Sequence, residues 1–245
     1  MGRYRRLKNT VVIGLGTGRC GTTSLTTLFN KQDSFRSAHE LCTSGKKRKP
    51  VWGEDFEYVL SIFNKFYRTY AHDNHYVSDI GFYWLPYVDD MMEKFEDEVK
   101  FVCVRRNIDT WVKTYVRVMR ARNYMVDNPK YFKPSPWDGV FPSYDYSDFS
   151  YVEKNEEDEE AYGHKVRVES AKRYWTEYYK TSGKYQEKYP NNFKIFEMEE
   201  ILKDTASSKP VFDFIGIKNP IYEYVWVNLR FGDKEARLQK IEENK

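Results

Sequence analysis

The sequence predicts an α/β fold of three layers, a mainly parallel sheet flanked on both faces by helices. Three observations predict it. Short β-branched runs without polar alternation, which suit strands buried on both faces, recur along the chain. Amphipathic stretches with apolar residues at helical spacing separate them. The two kinds alternate instead of clustering, which is the order a parallel sheet with crossover helices requires. The 245 residues fit one domain, since single cores stop growing near roughly 250–300 residues, and neither an internal repeat nor a Pro/Gly/Ser linker divides them, so 1–245 reads as a single domain.

The first strand is Thr10-Val-Val-Ile-Gly-Leu15. It runs into Gly16-Thr-Gly-Arg-Cys-Gly-Thr-Thr-Ser24, after which Leu25, Leu28 and Phe29 recur at helical spacing, giving strand, glycine loop and helix in succession. The segment from Asp33 to Leu41 reads as the neighbouring strand, with His39 and Glu40 at its carboxyl end. A helix over about 55–70 carries Phe56, Val59, Leu60, Phe63, Phe66, Tyr67 and Tyr70 on one broad stripe. A short strand at 76–80 precedes a helix with Leu85, Val88, Met91, Met92 and Phe95 inward. Val99-Lys-Phe-Val-Cys-Val104 is a second buried strand, followed by Arg105-Arg106 and a helix that turns Trp111, Val112, Tyr115, Val118 and Met119 to the core. The stretch 128–162 breaks the rhythm with Pro129, Pro134, Pro136, Pro142 and the acidic run Glu153–Glu160, a solvated excursion from the sheet edge. A helix over about 166–189, a strand at 192–196 and a helix near 210–215 follow, and the last thirty residues read as a packed tail.

Composition narrows the function classes. Forty Lys+Arg against 37 Asp+Glu leave a net charge of +3, too small for the overall field to imply nucleic-acid binding, so an anionic ligand has to be argued from local residues. No apolar run approaches the roughly 18 residues of a membrane span. The basic start has no apolar stretch of about 7–15 residues behind it, and Cys20, Cys42 and Cys103 form no pair at metal or redox spacing; together these point to a cytoplasmic protein with no membrane partner. His72 and His75 lack the further ligands of a metal site. Nothing in the sequence sets an oligomeric state. Aromatic residues reach 18%, with 21 Tyr, 16 Phe and 6 Trp, and rings with polar handles in that quantity can fill a core and also line a pocket for a polar ligand.

A glycine-rich turn between a buried strand and a helix presents backbone N–H groups and the positive end of the helix dipole, a natural seat for an anion. Gly16 and Gly21 meet the spacing of a nucleoside-triphosphatase loop, but Thr22 stands where such a loop needs Lys. Gly16, Gly18 and Gly21 also meet the dinucleotide fingerprint, with Glu40 about 20 residues on, where a ribose-binding acid belongs. The hydroxyls of Thr22, Thr23 and Ser24 suit anionic oxygens better than helix packing, and Arg19 is an odd choice for a turn that binds nothing. Arg106 supplies a second anion-binding device, a guanidinium at the carboxyl end of a buried strand, where open α/β sheets bind ligands. Two such devices suit a nucleotide with a phosphate at each end.

The run Gly16–Leu25 resembles the 5′-phosphosulfate loop of the sulfotransferase family that uses 3′-phosphoadenosine-5′-phosphosulfate (PAPS), with Arg19 at the position of the family's Lys or Arg. Three further segments fall in the family's order. Val99–Thr114 is similar to the strand and helix that bind the donor's 3′-phosphate, Arg106 and Thr114 keeping the eight-residue spacing of an Arg and a Ser, with Thr in place of Ser. Phe193–Leu202 is similar to a strand and acidic turn, and Val211–Ile217 to a late helix ending in Phe-Leu-Gly-Ile or close variants. The resemblance implies a P-loop NTPase-like core and donor contacts from Arg19, Cys20, Gly21, Thr22, Thr23, Ser24, Arg106 and Thr114. It implies in-line transfer to a hydroxyl acceptor on a sugar, a phenol or tyrosine, or another small molecule, with 3′,5′-diphosphoadenosine (PAP) as product and no metal.

In the branch that includes the tyrosylprotein and some carbohydrate sulfotransferases a Glu at the end of the second strand is the base, and Glu40 matches it; His39 or an acid elsewhere are the alternatives, and Arg19 would stabilise the leaving oxygen. Ser78 and Asp79 replace a Lys-containing segment of many relatives, so no second cation is assigned. The aromatic stretch within 128–162 is read as a lid or acceptor wall. Two other functions use the same residues: an NAD(P)-binding oxidoreductase, with Glu40 on a ribose and no role for Arg106, and a non-catalytic P-loop-like nucleotide-binding module.

Overall fold

A computed structural model of the chain describes residues 10–41, 56–121, 159–204 and 206–222. Five strands, β1 (Thr10–Leu15), β2 (Phe35–His39), β3 (Tyr76–Ile80), β4 (Val99–Arg105) and β5 (Phe193–Glu197), form one all-parallel sheet in the order β2-β3-β1-β4-β5. The central β1 pairs Val11 with Val77 on one side and with Val99 on the other. Its side chains alternate between two cores, each sheet face presenting every second residue. Val11, Ile13 and Leu15 join one core with Val99, Phe101 and Cys103, while Val12 joins the other with Val102 and Val104. A strand buried on both faces has no polar alternation, which is why these segments read as continuous apolar runs.

Helices cover both faces. The first core is closed by α2 (Phe56–Tyr70), α3 (Val88–Phe95) and one side of the long α5 (Glu159–Lys188), through Val59, Leu60, Phe63, Val88, Met91, Tyr178 and Tyr179. The second is closed by α1 (Thr22–Asn30), α4 (Ile108–Ala121) and α7 (Lys209–Ile215), through Leu25, Leu28, Phe29, Trp111, Val116, Val211 and Phe212. The expected three-layer architecture is present. The chain leaves β1 toward β2 on one side and leaves β4 toward β5 on the other. The connections therefore diverge at the carboxyl ends of β1 and β4, the switch point where open α/β sheets hold ligands.

Three local expectations need correcting. The helix expected around Leu85 is a 3-10 helix over Phe82–Tyr87, and α3 starts only at Val88, because Pro86 has no N–H to donate and its ring clashes with the preceding turn. The helix expected from about 166 begins at Glu159 and takes in the end of the acidic run, whose charge suits a helix N-terminus. A short helix, α6 (Met198–Ile201), follows β5 directly. The proposed lid is described only from Glu159 on, and the rest of it, Cys42 and most of the tail lie outside the described residues. Among the described residues no helix is long and apolar enough to cross a membrane, and no cluster of three or more His, Cys, Asp or Glu could hold a metal.

Candidate active site

The loop from β1 to α1 turns on a run of left-handed backbone, with φ of 71° at Gly18, 56° at Arg19 and 94° at Gly21. Gly21 is required twice over. Its φ is one that side-chain-bearing residues rarely adopt, and a Cβ there would lie 2.7 Å from Met198 Cγ on α6. Gly21 is also the N-cap of α1, so no side chain caps the helix, and no acid occupies its first turn. A helix start with neither a side-chain cap nor an acid in its first turn has the polarity that suits an external anion. The hydroxyl residues Thr22 and Ser24 are buried at this end.

Aromatic side chains hold the loop from below. Tyr178 Oη accepts the Gly16 N–H at 3.0 Å and donates to the Phe82 carbonyl at 3.2 Å. Tyr179 Oη donates to the Val104 carbonyl at 2.7 Å and lies 3.4 Å from Thr17 Oγ1. Trp111 Nε1 donates to the Gly18 carbonyl at 2.7 Å, and Trp175 Nε1 to the Arg106 carbonyl at 3.0 Å. The loop and the end of β4 are therefore fixed to α4 and α5 by four ring donors or acceptors. None of these four was singled out for the site from sequence. Three sit on α5 within five residues, a clustering visible in the chain but indistinguishable there from ordinary helix-face packing. Cys20 is fully buried beside Tyr179 and Thr17, and burial pushes its thiol up to about 11, which makes it a neutral packing group instead of a nucleophile.

The two arginines at the end of β4 separate cleanly. Arg105 is spent on its register partner Glu197, with Nε 2.7 Å from Oε1. Arg106 donates from Nη1 to the Arg19 carbonyl at 3.4 Å, and its Nε is buried without a hydrogen bond, 3.6 Å from Glu199 Oε1. Arg106 thus stands against the glycine loop with donor capacity in hand. Thr114 lies two turns along α4, and its hydroxyl donates to the Thr110 carbonyl at 3.0 Å, so within the described residues it makes no hydrogen bond to the loop or to Arg106.

His39 and Glu40 end β2 beside the loop. His39 Nε2 lies 3.1 Å from Thr22 Oγ1 and 3.5 Å from Thr23 Oγ1. Burial holds its imidazole below the usual value, with the Glu40 charge opposing. Glu40 has a left-handed φ of 51°, and its N–H donates to the Ile80 carbonyl at 2.9 Å. The next N–H, of Leu41, donates to Asp79 Oδ1 at 3.1 Å. Asp79 is fully buried, and its Oδ2 accepts from Tyr83 Oη and from Trp84 Nε1 at 2.8 Å. Burial pushes this carboxyl up to about 6 despite the three donors. A cavity of about 540 Å³ lies elsewhere, between α4 and α5, and is lined by Asp109, Val112, Lys113, Val116, Arg117, Val168 and Lys172. None of the expected site residues lines it.

A parallel sheet that carries an uncapped, glycine-jointed helix start at one strand end and an arginine at the next defines an α/β protein of P-loop-like fold. Comparison with known proteins then gives the family: residues 11–179 match the model of the sulfotransferase domain, and the chain belongs to that family of enzymes. A sulfotransferase from Alicyclobacillus acidocaldarius has a similar structure, with a TM-score of 0.52 at 12% identity over 96% of this chain and 92% of that one. The sulfotransferase domain from the curacin biosynthetic pathway also scores 0.52, at 13% identity over 87% of this chain and 76% of that one. At such identities the likeness is one of fold. No curated protein matches the chain. The oxidoreductase reading of the same glycines falls away with the family match.

Proposed function

We propose that this sulfotransferase takes its sulfuryl group from PAPS and passes it to a hydroxyl acceptor on a sugar, a phenol or tyrosine, or another small molecule. The observation that carries the reading is the bond from Arg106 Nη1 to the Arg19 carbonyl, which sets Arg106 against the glycine loop and supports reading the two neighbouring strand ends as one donor site. A donor with a phosphate at each end needs that pairing. The residues fit it: the start of α1 is uncapped, and Arg106 Nε is buried with no hydrogen bond.

The donor supplies, when bound, a sulfuryl group on a phosphate leaving group. The N–H groups of residues 19–24 and the hydroxyls of Thr22, Thr23 and Ser24 would hold the 5′ end, and Arg19 would meet charge developing on the leaving oxygen. Arg106 would grip the 3′-phosphate, and the Thr114 hydroxyl would donate to it after turning from the Thr110 carbonyl. Glu40 would take the acceptor's proton. His39 sits on the Thr22 and Thr23 hydroxyls, which supports a role in orienting the loop and leaves the carboxylate as the base. Two continuous cores on one sheet support reading the chain as one domain.

Calorimetry tests the donor assignment. PAP should bind, and NAD and ATP should bind far more weakly or not at all. Arg106→Ala should lose roughly 10- to 100-fold in PAP affinity, the range of a charged hydrogen-bonded contact. NAD binding without PAP binding would overturn the reading, and an Arg106→Ala protein with full affinity would remove the 3′-phosphate assignment.

A further inference from the structure

Asp79 is a fully buried acidic side chain at the carboxyl edge of the sheet, the register partner of Ile13 on β1 and of Ala38 on β2. Its partners are neutral donors: the Leu41 N–H on Oδ1, and Tyr83 Oη with Trp84 Nε1 on Oδ2. Three donors converge on one group, and only a carboxylate offers two acceptor oxygens to meet them; an amide offers one. The Leu41 bond matters because of what precedes it. Glu40 is held at φ 51°, a conformation that costs a residue with a side chain roughly 1–2 kcal/mol, so something outside the turn must hold it there. Two bonds that do so come from the end of β3, the Ile80 carbonyl on the Glu40 N–H and Asp79 on the next N–H. Tyr83 and Trp84 are themselves fully buried, so the carboxylate is anchored to the core on its far side.

We propose that Asp79 is a positioning residue for Glu40, a strut between the Tyr83–Trp84 pair and the 39–41 turn that fixes where the Glu40 carboxylate stands beside the loop. The proposal rests on the reading of Glu40 as the base. Asp79 itself touches no reacting atom.

The test uses Asp79→Asn, Glu40→Gln and the double variant, in three measurements: backbone amide exchange over residues 39–41, PAP affinity by calorimetry, and hydrolysis of PAPS with water as the acceptor. In Asp79→Asn, exchange over 39–41 should quicken by roughly tenfold or more while β1 and β4 keep their protection. PAP affinity and the donor KM should stay within about twofold, and kcat should fall roughly 10- to 100-fold, as for a misplaced catalytic group. In the Glu40→Gln background the same substitution should add less than about twofold, because residues acting as a unit are not additive. Unchanged exchange over 39–41, or losses that multiply in the double variant, overturn the strut. Full turnover of Asp79→Asn in an enzyme that Glu40→Gln silences removes the strut alone. Full turnover of Glu40→Gln removes the base reading, and the proposal with it. If Asp79→Asn does not fold, as shown by lost PAP binding, Tyr83→Phe removes one donor from the same carboxylate and should give the same pattern in weaker form; normal exchange and kcat there overturn the strut.

Discussion

Substituting Asp79 by Asn should change how stability depends on pH, by an amount the structure sets. Burial moves the Asp79 carboxyl from its ordinary 3.8 to about 6, with the Glu40 charge adding to the rise and the bonds from Tyr83, Leu41 and Trp84 opposing it. A carboxyl whose value is raised on folding holds its proton more tightly folded than unfolded. Its contribution to stability is therefore fully present below about 3.8, declines as pH climbs, and is gone above about 6. At about 1.4 kcal/mol per pH unit, that interval makes the ionised group cost roughly 3 kcal/mol at neutral pH relative to its protonated form. Asn carries no proton, and the hydrogen bonds it fails to make give an offset that does not vary with pH. Urea unfolding of both proteins between pH 4 and 7 isolates the effect in their difference, since the other carboxylates titrate in both. The difference should move by roughly 3 kcal/mol in favour of the variant as pH rises, most steeply between about 4 and 6. Glu40 is the other charge acting on Asp79, so the comparison is repeated in Glu40→Gln, where the midpoint should fall to lower pH. A difference that stays flat within about 1 kcal/mol across the range would refute the reasoning.

Further expectations concern the loop and its neighbours. Gly21→Ala forces a Cβ to 2.7 Å from Met198 Cγ at a φ of 94°, and should cost roughly 1–2 kcal/mol for the backbone alone, read as a lower thermal midpoint together with weaker PAP binding. Tyr178→Phe leaves the buried Gly16 N–H without its acceptor and should destabilise the protein by roughly 1–3 kcal/mol in urea unfolding. Glu199→Gln removes the carboxylate 3.6 Å from Arg106 Nε, an anion that competes with any phosphate for that guanidinium. Because Glu199 is 44% exposed, the gain in PAP affinity should be only about two- to fivefold at low salt and should vanish at high salt, as calorimetry at two ionic strengths would show.

The parallel sheet was legible because β1 and β4 are buried on both faces, so the sequence had no room for polar residues between Val11 and Leu15 or between Phe101 and Val104. The loop was legible because left-handed turns beside a helix start leave glycine behind. Arg106 was distinguishable from Arg105 only by its spacing to Thr114; the pairing of Arg105 with Glu197 depends on β5, about 90 residues away. The 3-10 segment escaped because Leu85 and Val88 keep helical spacing across Pro86, and a single turn of either helix satisfies the same pattern. Asp79 read as a departure from a lysine pattern, since its partners at 41, 83 and 84 come together only when β2 and β3 pair.

The aromatic excess shows most directly why local pattern was insufficient. A loop with left-handed backbone at 18, 19 and 21 turns the Gly16 N–H and the Gly18 carbonyl toward buried rings, where water cannot reach them, and buried backbone groups must be paired. An aliphatic core cannot pair them. Tyr178, Tyr179, Trp111 and Trp175 can, because each brings an apolar ring large enough to pack and one polar atom that reaches Gly16, Val104, Gly18 or Arg106. With these groups held by rings, the loop that leads into α1 is fixed from the core side, and on the proposed reading it meets the donor already ordered. Preorganisation of that kind stabilises developing charge without a reorganisation cost. The ring count and the glycine loop, which look like separate oddities of the sequence, are therefore two halves of one requirement.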